Sequence, residues 1–131
     1  MIQLIVGHKG SGKTKAMVEM ANKAVKESKG YVVVIEKDVR LTYEISSAAR
    51  LVYSDEYAIA GYDAVYGFIT GLLAGNYDIT HVFVDNFTKM LTEVSEQQIA
   101  EFLAWLNDFS EREHIQFTLS LSMDPAATGS E

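Results

Sequence analysis

Cysteine is absent from the 131 residues. Its absence excludes disulfide frameworks, thiolate zinc sites and cysteine nucleophiles, and it agrees with a reducing, cytoplasmic setting. Basic residues are scarce, with 11 Lys and Arg against 18 Asp and Glu, a formal net charge of −7. The average surface therefore repels a phosphate backbone. No lysine or arginine cluster offsets this locally, which argues against nucleic acid as the main partner. No apolar run approaches the roughly 20 residues that a membrane-spanning helix needs. The opening MIQLIVG is short and carries no basic leader, so it reads as neither anchor nor signal peptide. Internal repeats and low-complexity tracts are missing as well.

What is there suits one ordinary domain: 48% of the residues are hydrophobic and 22% charged. The expected domain spans residues 1–123. The tail 124–131 has no periodicity and little bulk to pack, so it is expected to be mobile.

Strand and helix patterns alternate. Ile2 to Val6 is an unbroken apolar run ended by Gly7, the pattern of a parallel strand covered on both faces. From Lys13 to about Lys29, Met17, Met20, Ala21, Ala24 and Val25 recur at helical spacing, with Gly30 placed as the stop. Tyr31 to Ile35 is a second strand. Between Arg40 and Ile59 the pattern weakens: Leu51 to Tyr53 suggests a short edge strand, and Leu41, Tyr43 and Ile45 are expected to tuck a loop against the core.

Asp63 is positioned to cap a helix bearing Val65, Phe68, Ile69, Leu72 and Leu73, with Gly75 and Asn76 as its end. Thr80 to Val84 reads as a third buried strand. Ser95 with Gln98 spells a capping box, and Val94 with Ile99 a hydrophobic staple, before a helix that buries Phe102, Leu103, Leu106 and Phe109. Ile115 to Leu121 is the last strand. The expected fold is a three-layer α/β/α sandwich around a mainly parallel sheet of about five strands.

Residues Gly7, His8, Lys9, Gly10, Ser11, Gly12, Lys13 and Thr14 spell G-x-x-x-x-G-K-[ST] between a predicted strand and a predicted helix. Three glycines allow a tight turn whose amides converge on phosphate oxygens, reinforced by the positive end of the following helix. Lys13 would reach the terminal phosphates, and the Thr14 hydroxyl would coordinate magnesium. The side chains of His8 and Lys9 are expected to be solvated. A dinucleotide site is disfavoured, because its fingerprint is G-x-G-x-x-G.

His81 to Val84 leads into Asp85, an acid at the end of a buried strand, where a parallel sheet meets its ligands. The run resembles a Walker B motif, in which Asp85 would complete the magnesium shell begun by Thr14. Asn86 follows where related ATPases carry a glutamate that polarises the attacking water. Asparagine can orient water but cannot take its proton, so slow hydrolysis is expected. Arg40, Arg50 and Lys89 are the cations available to stabilise a transferring phosphoryl group, with Arg40 best placed. Glu36, Lys37 and Asp38 close the second strand, either as a plain charged turn or as groups that could meet a base, ribose or second substrate. Ser120 and Ser122 read as ordinary strand ends, although related ATPases sense the terminal phosphate there. Trp105, Tyr57 and Tyr62 fall off the main apolar stripes, as partly buried side chains or a partner surface.

With these motifs the chain resembles the P-loop NTPase superfamily over nearly its whole length. The element order looks like the nucleotide core of RecA-like proteins and thymidine kinases, without the cysteine-bound zinc most thymidine kinases add. It also looks like short bacterial ATP-binding proteins. The resemblance implies binding of ATP or GTP with magnesium, and the lack of an N-K-x-D base-reading motif favours ATP. Three functions fit: slow NTP hydrolysis, phosphotransfer to a small nucleoside-like molecule, or a nucleotide-gated binding module. A protein partner or a homo-oligomer is compatible with each.

Overall fold

The computed structural model describes residues 1–7, 12–37, 44–91 and 95–122. Five strands, β1 (Ile2–Gly7), β2 (Tyr31–Glu36), β3 (Arg50–Tyr53), β4 (Ile79–Val84) and β5 (Gln116–Ser122), form one parallel sheet in the order β1-β5-β4-β2-β3. Three helices, α1 (Lys13–Glu27), α2 (Tyr62–Gly75) and α3 (Glu96–Glu113), complete an α/β architecture compatible with the three-layer sandwich. Among the described helices none is long and apolar enough to cross a membrane.

The interior strands explain the unbroken apolar runs. On β2, Val32 and Val34 pack with Met17, Val18, Ala21 and Ala24 of α1, while Val33 and Ile35 belong to the core beneath α2 and α3. Alternate side chains thus enter two separate cores, and both faces must be apolar. Val65, Ile69 and Leu73 of α2 and Phe102, Leu106 and Phe109 of α3 fill the larger core, stacked on Val82, Val84, Phe117 and Leu119. Ile45 tucks into the smaller core, as expected, whereas Leu41, Tyr43, Val94 and the tail 124–131 lie outside the described residues.

Several expectations need correction. β1 is not covered on both faces: it closes one edge of the sheet, leaving Leu4 40% and Val6 50% exposed. Strand order decides this, because β5 lies on one side of β1 and no described strand on the other. Helix α1 ends at Glu27, and its C-cap Ser28 is extended and donates its N–H to the Ala24 carbonyl. Gly30 is needed for close approach: a Cβ there would stand 2.1 Å from the Asp78 carbonyl oxygen, which already accepts the Tyr31 N–H at 2.7 Å. The cap of α2 is Gly61, and Asp63 sits in the first turn, where an acid complements the helix dipole. Ser95 does cap α3, its side chain accepting the Gln98 N–H.

Two outcomes follow for stability. Leu4 and Leu119 are partners on one rung of the β1–β5 ladder, yet Leu119 is fully buried. In urea denaturation, Leu119→Ala is expected to cost about 2–5 kcal/mol and Leu4→Ala about 0.5 kcal/mol. Equal losses would mean that the β1 edge is covered in solution. On β4, burial lowers the pKa of His81 below its ordinary value of 6.5, with Glu27 opposing the shift. The unfolded chain then takes up the proton first. Stability should therefore be complete above about pH 6.5 and decline as pH falls from there to the folded pKa. His81→Gln should flatten that decline in urea midpoints between about pH 7.5 and 5.5; an unchanged slope would remove His81 as its source.

Candidate functional site

The sheet brings the two candidate motifs together at its carboxyl edge. β1 ends at Gly7, and α1 starts at Lys13 behind Gly12, which adopts φ 91°, a left-handed conformation favoured by glycine. The first turn of α1 has no side-chain cap and no acid; it carries Lys13, Thr14 and Lys15. Basic residues oppose the helix dipole at this end, so the turn is electrostatically unfavourable by itself and suited to an anion. Lys13 is buried although it is charged.

Asp85, immediately after β4, is fully buried. Its backbone N–H donates to the Ile35 carbonyl at 2.9 Å, extending the β2–β4 pairing to the strand end. Its Oδ1 accepts a 2.9 Å hydrogen bond from the Ser120 hydroxyl, and its Oδ2 accepts one from Asn86 Nδ2 at 3.3 Å. The Thr14 hydroxyl faces both carboxylate oxygens at 3.5 and 3.4 Å. Those separations exceed the usual 2.5–3.0 Å or so of a hydroxyl hydrogen bond, so Thr14 approaches the carboxylate without clamping it.

Ser120 is the residue that a reading of the sequence undervalues. It is fully buried, and its Oγ also accepts the Asn86 N–H at 2.7 Å. Asn86 needs that anchor because it stands at φ 51°, in the left-handed region. The signal was the pattern Thr118, Leu119, Ser120, Leu121, Ser122, in which hydroxyls recur inside a buried strand. Glu36 closes β2, as expected, but it is fully buried rather than part of a solvated charged turn. The ladder that pairs Ile35 with Val84 continues so that Glu36 adjoins Asp85.

Other candidates fall elsewhere. Lys37 pairs with Asp55 at 3.0 Å in an exposed ion pair. Arg50 starts the edge strand β3, opposite Val33 and three residues short of the strand ends at Glu36 and Tyr53, and it is exposed. Lys89 is exposed in the 3₁₀ turn Phe87–Met90 that follows Asp85 and Asn86. His8, Lys9, Gly10, Ser11, Asp38 and Arg40 lie outside the described residues. Two buried hydroxyls near the same edge, Ser54 after β3 and Thr88 after β4, have no hydrogen-bond partner among the described residues.

Thr14 and Asp85 supply hard oxygen donors, the kind a magnesium ion takes. Among the described residues no group of three or more His, Cys, Asp or Glu could hold a metal. A cation here would draw its remaining ligands from water and a bound anion, as magnesium commonly does.

No family model matches the chain, and no curated protein matches it significantly in sequence.

Ser120→Ala would remove one donor from a buried carboxylate and the acceptor of the Asn86 N–H. A loss of about 1–3 kcal/mol in urea denaturation is expected. A loss under about 0.5 kcal/mol would show that this hydroxyl does not hold Asp85.

Proposed function

We propose that this chain binds a nucleoside triphosphate, ATP in preference to GTP, together with magnesium, and hydrolyses it slowly. The observation that carries the reading is the meeting of Thr14 and Asp85. They are 71 residues apart in sequence, yet hydroxyl and carboxylate lie 3.4–3.5 Å from one another at the carboxyl edge of the sheet. One belongs to the G-x-x-x-x-G-K-[ST] spelling and the other ends the buried strand that the spelling leads one to seek. The uncapped, basic first turn of α1, with no acid in it, supports the same reading, since amides and positive charge at a helix start suit a phosphate.

In this reading the amides of Gly7 to Thr14 hold the phosphates, Lys13 lies against their terminal oxygens, and Thr14 with Asp85 holds magnesium. Bound magnesium would supply charge neutralisation of the phosphate oxygens. Ser120 and Asn86 keep the Asp85 carboxylate oriented by donating to its two oxygens. The Asn86 amide is occupied by that contact and has no basic atom for a proton, which is the reason to expect slow turnover. The acid on the adjoining strand end is Glu36, one strand spacing, about 4.8 Å, from Asp85. In this reading its carboxylate, rather than Asn86, would take the proton of an attacking water.

Calorimetric titration with ATP, GTP and a non-hydrolysable ATP analogue, with and without magnesium, tests the site directly. ATP should bind more tightly when magnesium is present. Lys13→Ala should weaken it about ten- to a hundredfold, the worth of one charge-assisted hydrogen bond. Asp85→Asn should remove most of the magnesium dependence. Phosphate release on the same samples should be slow and should fall further in Glu36→Gln. Absence of binding by either nucleotide, or full affinity in Lys13→Ala, would overturn the proposal.

A further inference from the structure

On the face of the sheet opposite α1, helices α2 and α3 enclose a groove of about 260 Å³. Its aromatic lining is Tyr62, Tyr66, Phe102 and Trp105, and the carboxylates of Asp63 and Glu101, both exposed, stand at its rim. The rings are set at angles: Tyr66 meets Trp105 edge-on at 4.3 Å, Phe102 lies 5.5 Å from Trp105, and Tyr62 lies 6.2 Å from Phe102. Among the described residues no lysine or arginine lines this groove.

The groove is small beside the roughly 300–1,000 Å³ of typical small-molecule pockets, so it suits one inserted side chain better than a whole cofactor. Its chemistry selects the kind. Aromatic faces with flanking carboxylates attract a cation, and a planar guanidinium can stack on a ring while its fork meets the acids. The surrounding charge points the same way. Helices α2 and α3 together carry Asp63, Glu96, Glu101, Asp108, Glu111 and Glu113 against Arg112 alone. Helix α1, on the other face, carries Lys13, Lys15, Lys23 and Lys26 against Glu19 and Glu27. The two helices that form the groove are thus acidic on balance, with Asp63 and Glu101 at the groove itself, while the helix on the other face is basic on balance.

We infer that the α2–α3 groove is a docking site for an arginine side chain presented by a basic segment of a partner protein. None of its lining residues belongs to the proposed phosphate or magnesium positions. A nearby aromatic contact sets its depth, because Phe102 is stacked on Phe87 at 5.0 Å and cannot sink further into the core.

Trp105 is the sole tryptophan of the chain, so its emission reports on the groove without labelling. The test titrates an acetylated hexa-arginine peptide into the full chain, without nucleotide, and follows that emission alongside calorimetry. A saturable change in emission is expected, with hexa-lysine weaker by about fivefold because an ammonium cannot fork or stack as a guanidinium does. The double variant Asp63→Asn/Glu101→Gln should lose about tenfold in affinity, and Tyr66→Ala about fivefold, while the remote double variant Asp108→Asn/Glu111→Gln stays within about twofold. All these positions are exposed, and unchanged urea midpoints would show that the charge variants fold. Three results would overturn the inference: no change in Trp105 emission, equal losses in the groove and remote variants, or a self-associated species that Asp63→Asn/Glu101→Gln dissociates. The last would make a second copy of the chain the occupant.

Discussion

A fully buried carboxylate organises the carboxyl edge of this sheet. Removing an ionised acid from water costs several kcal/mol unless donors replace the lost hydration. Asp85 is supplied by the Ser120 hydroxyl and the Asn86 amide, with the Thr14 hydroxyl facing it at longer range. Each donor comes from a different part of the chain: β5, the turn after β4, and the first turn of α1. The acid therefore ties β5 and the turn after β4 to one point, with the start of α1 close by. Asn86 accepts a left-handed backbone there. Ser120 brings a fully buried hydroxyl to that point from a strand whose Phe117 and Leu119 fill the larger core.

The same point connects the edge of the sheet to the core behind it. Phe87 follows Asn86 directly, is fully buried, and stacks on Phe102 of α3, which in turn touches Tyr62 and Trp105. Met90, at the end of the 3₁₀ turn, accepts the N–H of Gly61 at the cap of α2. One short turn thus adjoins the Asp85 carboxylate at one end and bears on the start of α2 and on Phe102 of α3 at the other. In a core packed to crystal-like density, these contacts couple the placement of the turn to that of the two helices.

Much of this was legible from residue order. The strand and helix alternation, the parallel sheet, the short edge strand at Leu51 to Tyr53 and the cap at Ser95 follow from local pattern and capping chemistry, which act within a few residues. What local pattern cannot carry is lateral order. Ile2 to Val6 has the composition of a covered strand, yet β1 lies at the edge, because the position of a strand depends on which segments pair with it. Gly30 illustrates the same limit: its apolar helix suggested a stop signal, whereas the constraint comes from the Asp78 carbonyl, 48 residues later. At the site, Gly12, Lys13, Thr14 and Asp85 stood out through spelling and context. Ser120 and Glu36 did not, since a serine or glutamate at a strand end is ordinary until a neighbouring strand places it beside Asp85.

That lateral order gives β5 its importance. β1 carries Gly7 toward the glycine-rich segment and, among the described residues, pairs only with β5, from Ile2 opposite Phe117 to Gly7 opposite Ser122. β5 also pairs with β4 up to Val84 opposite Leu119, the rung before Asp85. The distance from the loop strand to the acid is therefore two strand spacings, about 9–10 Å, set by a single intervening strand. A one-residue slip of β5 would turn Ser120 to the other face and carry Gly7 out of step with Asp85. Phe117 and Leu119, both fully buried and locked in the larger core, prevent that slip. The packing of the last strand, remote in sequence from the glycine-rich loop, thereby holds Thr14 and Asp85 within reach of each other.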